Sequence, residues 1–284
     1  DTGQWDKAIE YYKNSLLISE EINNLIRKAS TLKGMGLAHL FKGDISIGHS
    51  YLEESLKICE KINDKNIRSM ALNNLGIYYD MIGEWQKAVE FYVKSLIIAK
   101  KLNNIYFIYN ILSNLGFAYS SLNNHKKAIN YFKESIKISD KIGDIYSKGI
   151  NYLHLGEEYL KEDNFSKTRY YIIQAEEIFK KLEDKLGLAD VYKLKAKLYK
   201  SLKKWEDSEI FFKKAVRIYL KFGDKINEGE SYYEWGDMLF IKENKDSAKK
   251  KLIKSKKILG SIGAKKHLKE IEEKLNKLKN VKYE

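Results

Sequence analysis

Residues Leu72–Ala99 read LNNLGIYYDMIGEWQKAVEFYVKSLIIA, and forty residues further on Leu112–Ser139 read LSNLGFAYSSLNNHKKAINYFKESIKIS. The two stretches align without a gap, and the same 40-residue register extends in both directions along the chain. Gly36, Gly76, Gly116, Gly156 and Gly236 share one column, with Ala196 in the remaining slot. Twelve residues on, Ala8, Gly48, Ala88, Ala128, Thr168, Ser208 and Ala248 form a second column of small residues. A third column, Trp5, Ile45, Trp85, His125, Phe165, Trp205 and Lys245, is bulky in most copies.

Within one period the apolar spacing is helical twice. Ile108, Ile111, Leu112, Leu115, Tyr119 and Leu122 recur at steps of three and four, and so do Trp85, Ala88, Val89, Tyr92, Leu96 and Ala99. Each repeat therefore predicts a helical hairpin. Breaks such as Gly143-Asp144 and Gly223-Asp224 separate successive hairpins, because Gly accepts positive φ and Asp caps the next helix. A glycine inside a helix costs roughly 1 kcal/mol relative to alanine. Its recurrence in one column implies a close approach of two helices, with the small column twelve residues on as the expected partner.

These residues resemble the tetratricopeptide repeat family. The pattern W-x2-L-G-x2-Y…A-x3-F…A is matched by Leu72, Leu75-Gly76, Tyr79, Ala88, Tyr92 and Ser95, and by Leu112, Leu115-Gly116, Tyr119, Ala128, Phe132 and Ser135. The period is 40 rather than 34, and Lys100, Asp140 and Lys180 stand where the shorter repeat ends its second helix with Pro. The chain is thus similar to the long-helix variants of kinesin light chains, Pins-type adaptors and bacterial signalling proteins. The fifth repeat departs most, with Lys195-Ala196 in place of Leu-Gly. The resemblance implies an all-α, right-handed superhelical solenoid of antiparallel hairpins, about 14 helices in a single domain over 1–284. Residues 1–24 read as the second helix of a truncated repeat, since Gly3-Gln4-Trp5 aligns with Gly83-Glu84-Trp85. Six full repeats follow at 25–64, 65–104, 105–144, 145–184, 185–224 and 225–263, and 264–284, with Leu268, Ile271, Leu275 and Leu278 on one stripe, reads as a capping helix.

Composition agrees with this class. There is no Pro among 284 residues, where average usage would supply about 14. No apolar run reaches the roughly 20 residues of a membrane span, and the chain is expected to be cytoplasmic. One cysteine, Cys59, excludes an internal disulfide and reads as a buried, inert thiol. The net charge is +13, and residues 242–284 carry 15 Lys against 6 Asp+Glu. Arg27, Arg68, Arg169 and Arg217 are the only arginines, which disfavours reading of phosphates and guanines by bidentate forks.

No catalytic residue, cofactor or metal site is expected. No two of His39, His49, His125, His154 and His267 stand at the i, i+4 spacing of a helical metal site, and there is neither a phosphate-binding loop nor a nucleophile elbow. Glu53-Glu54, Glu157-Glu158 and Glu176-Glu177 are adjacent, so the members of each pair diverge and read as solvated faces. Tyr79, Tyr119, Tyr159 and Tyr199 share a column on the core stripe and predict packing. Trp5, Trp85 and Trp205 predict wedges at the turns, and Lys249-Lys250-Lys251 with Lys256-Lys257 predict exposed faces open to an acidic partner.

The resemblance places binding on the concave face of the first helices. Carried onto this sequence, that face comprises Lys33; Asn73, Asn74 and Ile77; Asn110, Ser113, Asn114 and Phe117; His154 and Glu157; Lys193 and Lys197; Tyr233 and Asp237. Amides donate and accept, so Asn74 and Asn114 suit the backbone of an extended peptide, as the matching Asn residues of long-repeat relatives do. Lys193, Lys197 and Lys200 make one repeat basic, and Glu230, Glu234 and Asp237 make the next acidic, so a ligand there is expected to carry both signs. Leu37 stands where chaperone-tail clamps carry Asn, which disfavours such tails. The expected function is a non-enzymatic scaffold binding a protein or peptide. The alternative is a regulatory or sensor segment of a larger signalling protein with an intramolecular partner upstream, and nucleic-acid binding through the Lys-rich end ranks last. Self-association through the truncated end is a further expectation.

Overall fold

The computed structural model describes residues 2–262 and 265–280. Every regular element among them is an α-helix: α1 (Thr2–Glu21), α2 (Leu25–Lys42), α3 (Ile45–Ile62), α4 (Lys65–Met81), α5 (Trp85–Lys101), α6 (Ile105–Ser121), α7 (His125–Ile142), α8 (Ile145–Lys161), α9 (Phe165–Lys181), α10 (Lys185–Ser201), α11 (Trp205–Phe222), α12 (Lys225–Ile241), α13 (Lys245–Ser261) and α14 (Lys265–Asn280). The chain divides into two compact units, Asp1–Asp144 and Ile145–Glu284.

The forty-residue period is two turns of a twenty-residue device. Positive φ recurs every twenty residues from Asn23 to Glu243, carried by Gly43, Gly83, Gly143 and Gly223 and otherwise by non-glycine residues. The following position is the N-cap. Asn24, Asp64, Asn104, Asn124, Asn164, Asp184, Asp224 and Asn244 each accept an N–H from the first turn of the helix they precede. A helix of 17 or 18 residues closed by such a turn fills twenty positions, and no proline is needed to end it.

In the first unit α2/α3, α4/α5 and α6/α7 form hairpins, α1 packs on α2, and α4 lies beside both α2 and α6. Its core sets Ala88, Tyr92 and Leu96 of α5 against Ile111, Leu112 and Leu115 of α6. In the second unit α8/α9, α10/α11 and α12/α13 form hairpins and α14 packs on α13, with Leu268, Ile271, Leu275 and Leu278 of α14 in one cluster with Leu252 and Leu259 of α13. Buried serines fasten the hairpins: Ser55, Ser95, Ser135 and Ser255 each donate to a carbonyl 26 residues earlier on the partner helix.

The close approach at the glycine column has a different partner from the one the sequence predicts in most repeats. Gly36 does meet the Gly48 carbonyl, 3.0 Å from where a Cβ would stand. At Gly76 and Gly116, however, the space is filled by the ring sixteen residues on, with a Cβ only 2.4 Å from Tyr92 and 2.5 Å from Phe132. The small residues at twelve are buried and let the helices close, and the ring lies across the glycine. The tyrosine column packs as predicted: Tyr79, Tyr119, Tyr159 and Tyr199 stack on Phe91, Tyr131, Tyr171 and Phe211 at centroid distances of 5.0, 5.4, 5.5 and 5.5 Å. Trp5 stacks on Phe41 beside the turn at Gly43. Cys59 is fully buried, and burial pushes its thiol above the ordinary range.

Candidate functional site

The inner face of the first unit is carried by α2, α4 and α6. Asn73 and Asn74 lie one turn before Ile77 on α4, and both are buried. Asn114 on α6 donates from Nδ2 to Asn73 Oδ1 at 3.0 Å, so one of the two amides expected to hold a ligand is already engaged across the repeat boundary. Asn74 forms no side-chain hydrogen bond among the described residues. Asn110 donates to the Tyr106 carbonyl of its own helix at 2.9 Å. Phe117 is 48% exposed, one turn beyond Ser113 and Asn114. Lys33 on α2 reaches the Met70 sulfur of α4 at 3.5 Å, and burial lowers its ammonium pKa. This face is therefore an amide-rich surface flanked by one partly buried cation and one exposed ring.

The inner face of the second unit is built differently. Lys197 of α10 pairs with Glu157 of α8 at 3.2 Å, and Lys193 reaches Asn227 at 2.6 Å and Glu230 at 3.2 Å on α12. Lys200 bridges Glu234 at 2.5 Å and Asp237 at 3.0 Å, and Lys274 of α14 also pairs with Asp237. Lysines on α10 and α14 thus alternate with carboxylates on α8 and α12. Burial raises the Glu157 carboxyl pKa, but the Lys197 and Lys193 ammoniums outweigh it and bring it down to about 2. Glu234 and Asp237 are held low in the same way, and Lys197 and Lys200 are raised. His154 sits beside Glu157, and burial lowers its pKa, which favours neutral imidazole. The opposite signs expected to meet a ligand in this stretch meet one another.

Other residues depart from the sequence reading. Glu158 is buried and pairs with Lys161 at 2.7 Å, and Glu176 takes Lys195 at 2.6 Å and Lys180 at 3.1 Å. The glutamate pairs diverge, but Glu157, Glu158 and Glu176 are not solvated faces. Asp190 is a half-buried acid that accepts from the Tyr219 hydroxyl at 2.5 Å, and desolvation raises its pKa. Asn227, Lys274 and the Asn73–Asn114 pair were absent from the expected contacts. Their signal is spacing: partners 34, 37 and 40 or 41 residues apart occupy adjacent first helices. Tyr233 lies on α12 with the Lys274 ammonium 4.8 Å over its ring. No group of three metal-ligating side chains occurs among the described residues, and the side chain of His267 lies outside them. No described helix is long and apolar enough to cross a membrane.

Tetratricopeptide repeat profiles match residues 48–101 and 109–142, the segments that carry the glycine, tyrosine and serine columns. These two segments are tetratricopeptide repeats. Comparison with curated proteins finds no match. Among solved structures, aspartyl phosphate phosphatase F from Bacillus subtilis is similar with a TM-score of 0.76 at 16% identity, over 90% of this chain and 67% of that one. A Rap protein complexed with competence and sporulation factor is similar with a TM-score of 0.65 at 12% identity, over 97% and 82%. A signal transduction ATPase with a tetratricopeptide repeat sensor, from Pyrococcus horikoshii, gives 0.68 at 21% identity, over 95% of this chain but 42% of that one. At these identities the likeness is one of fold.

Proposed function

We propose that the chain is a non-catalytic interaction scaffold that holds an extended peptide, or an extended segment of a partner, on the inner face of α2, α4 and α6. The observation that carries this reading is the state of Asn74: a residue only 7% exposed whose amide has no side-chain partner among the described residues, next to the Asn73–Asn114 pair and within the same face as exposed Phe117. A backbone N–H and C=O satisfy such an amide without dictating sequence. Phe117 and Ile77 offer apolar contact for a side chain, and Lys33 suits a carboxylate at the α2 end. The second unit is less suited, because a ligand there has to break ion pairs already made. That a similarly folded Rap protein is seen with a bound factor is consistent with the reading.

The test is selection of displayed random peptides on the full chain, followed by affinity measurement on Asn74→Ala/Asn114→Ala with helicity checked by circular dichroism. Two lost hydrogen bonds to a ligand predict a roughly ten- to hundredfold weaker Kd. Unchanged affinity in a folded variant would overturn the assignment of the face. Release of phosphate from acetyl phosphate by the purified chain would contradict the non-catalytic part. A second reading, a sensor segment within a larger signalling protein, is favoured by the Pyrococcus horikoshii structure, in which the matching stretch is less than half of the chain. It predicts that the longer natural polypeptide changes activity when the selected peptide is added.

A further inference from the structure

The last hairpin breaks the aromatic pattern of the others. In five repeats a ring on the second helix, Tyr51, Phe91, Tyr131, Tyr171 or Phe211, stacks on a ring of the first helix twelve residues before it. In α12/α13 the equivalent positions are Leu239 and Lys251. The Lys251 ammonium lies 3.4 Å from the ring centroid of Trp235, which stands where the first four repeats carry Met or Leu and the fifth carries Lys195, and 5.5 Å from that of Tyr232. Tyr232 and Trp235 are parallel, with centroids 6.1 Å apart. Lys254 donates to the Tyr232 hydroxyl at 2.6 Å, and Lys213 of α11 lies 5.9 Å from the Trp235 ring.

Three ammoniums are thus gathered around two rings. Among the described residues the carboxylate that pairs with Lys213, at 2.9 Å, and acts on Lys251 is Glu209. Burial lowers the Lys251 pKa; Glu209 opposes that effect and Lys254 and Lys213 add to it. Lys254 occupies the Tyr232 oxygen as an acceptor and leaves its O–H to donate elsewhere. The Trp235 indole N–H is buried without a hydrogen-bond partner in the structure. Two lysines over one ring occur in the preceding repeat, where Lys195 and Lys214 lie 5.4 and 5.1 Å from the Phe211 centroid, but here a third ammonium joins them.

The geometry points to a site for a phosphoryl group, held by Lys213, Lys251 and Lys254 on the α11 and α13 side of the second unit, with the Tyr232 hydroxyl as a further donor. Three cations less one carboxylate leave two positive charges, the complement of a dianionic oxyanion, and ammonium-to-phosphate hydrogen bonds are of the strong, charge-assisted kind. The position is separate from the inner-face residues on α4 and α6, so this assignment stands or falls apart from the peptide reading.

The experiment uses the full chain and inorganic phosphate, read by the indole N–H resonances of the four tryptophans and by tryptophan fluorescence, against sodium chloride of equal ionic strength. The expected result is a saturable, phosphate-specific shift of one indole resonance with a millimolar-range Kd. The shift is lost in Lys251→Gln, restored in Lys251→Arg, weakened at least severalfold in Lys254→Gln, and kept in Lys257→Gln, an exposed control on the same helix. An identical response to chloride, no saturable shift, or a shift that survives Lys251→Gln in a folded chain overturns the site. A phosphoserine peptide that binds more tightly than free phosphate supports the site with a phosphorylated partner as source. Equal or weaker binding of the peptide supports it with free phosphate as source.

Discussion

At the residue scale the turns record how strictly the twenty-residue device is enforced. Left-handed backbone is cheap for Gly and tolerable for Asn, but it costs other residues on the order of 1 kcal/mol. Glu183 and Lys203 nevertheless adopt φ of 53° and 56° because the helices on either side fix the turn. Lys203→Gly and Glu183→Gly are each expected to raise the stability of the chain by about 0.5–1 kcal/mol, since the strain removed exceeds the added entropy of the unfolded chain. Urea unfolding followed by circular dichroism measures this as a higher midpoint at unchanged slope. Gly143→Ala, at φ 73°, is expected to move the midpoint the other way. The turns at Gly143 and Gly223 were legible because glycine announces the conformation. Those at Glu183 and Lys203 were legible only through the register, as neither residue favours it.

At the element scale the second unit depends on charge as well as on apolar packing. The Glu157 side chain is 32% exposed, and its carboxyl is held at about 2 chiefly by Lys197 once the opposing effect of burial is overcome. Its folded pKa lies below the unfolded value near 4.3, so the contribution is fully present above pH 5 and is lost as pH falls from about 4.5 towards 2. Discounted for solvent screening, it amounts to about 1–2 kcal/mol. Glu157→Gln is therefore expected to be less stable than the parent at pH 7 and indistinguishable from it near pH 2, which chemical denaturation across that range would measure. A parent and variant that stay equally far apart down to pH 2 would assign the loss to packing. The helices themselves were readable from apolar steps of three and four. The ladder was not, because a helix-by-helix reading shows Lys193, Lys197 and Lys200 as a basic surface, and pairing appears only when columns are compared across about forty residues.

At the scale of the whole molecule, one repeat template yields two units with unlike inner faces. The template is carried by recurrent positions: the glycine under a ring or a leucine sixteen residues on, the serine bonded to a carbonyl 26 residues earlier in four hairpins, and the side-chain cap that follows most turns. The inner-face positions are free of that work, and there the first unit carries amides and apolar groups while the second carries alternating charge. This is why the fold was legible in the sequence, and with it the amide-rich and charged stretches of the face, whereas the ion pairs that close the charged stretch on itself were not. Salt separates the two behaviours. Raising ionic strength from 0.1 to 1 M shortens the Debye length from about 10 to 3 Å, which weakens partly exposed ion pairs and leaves neutral amide contacts nearly unaffected. Amide hydrogen exchange is therefore expected to quicken in α8, α10 and α12 in 1 M salt relative to α2, α4 and α6 of the same molecule. Because both units experience the same solvent, effects of salt on apolar packing cancel in the comparison. Equal changes in the two sets of helices would mean that the ion pairs order the side chains of the second unit without stabilising its fold.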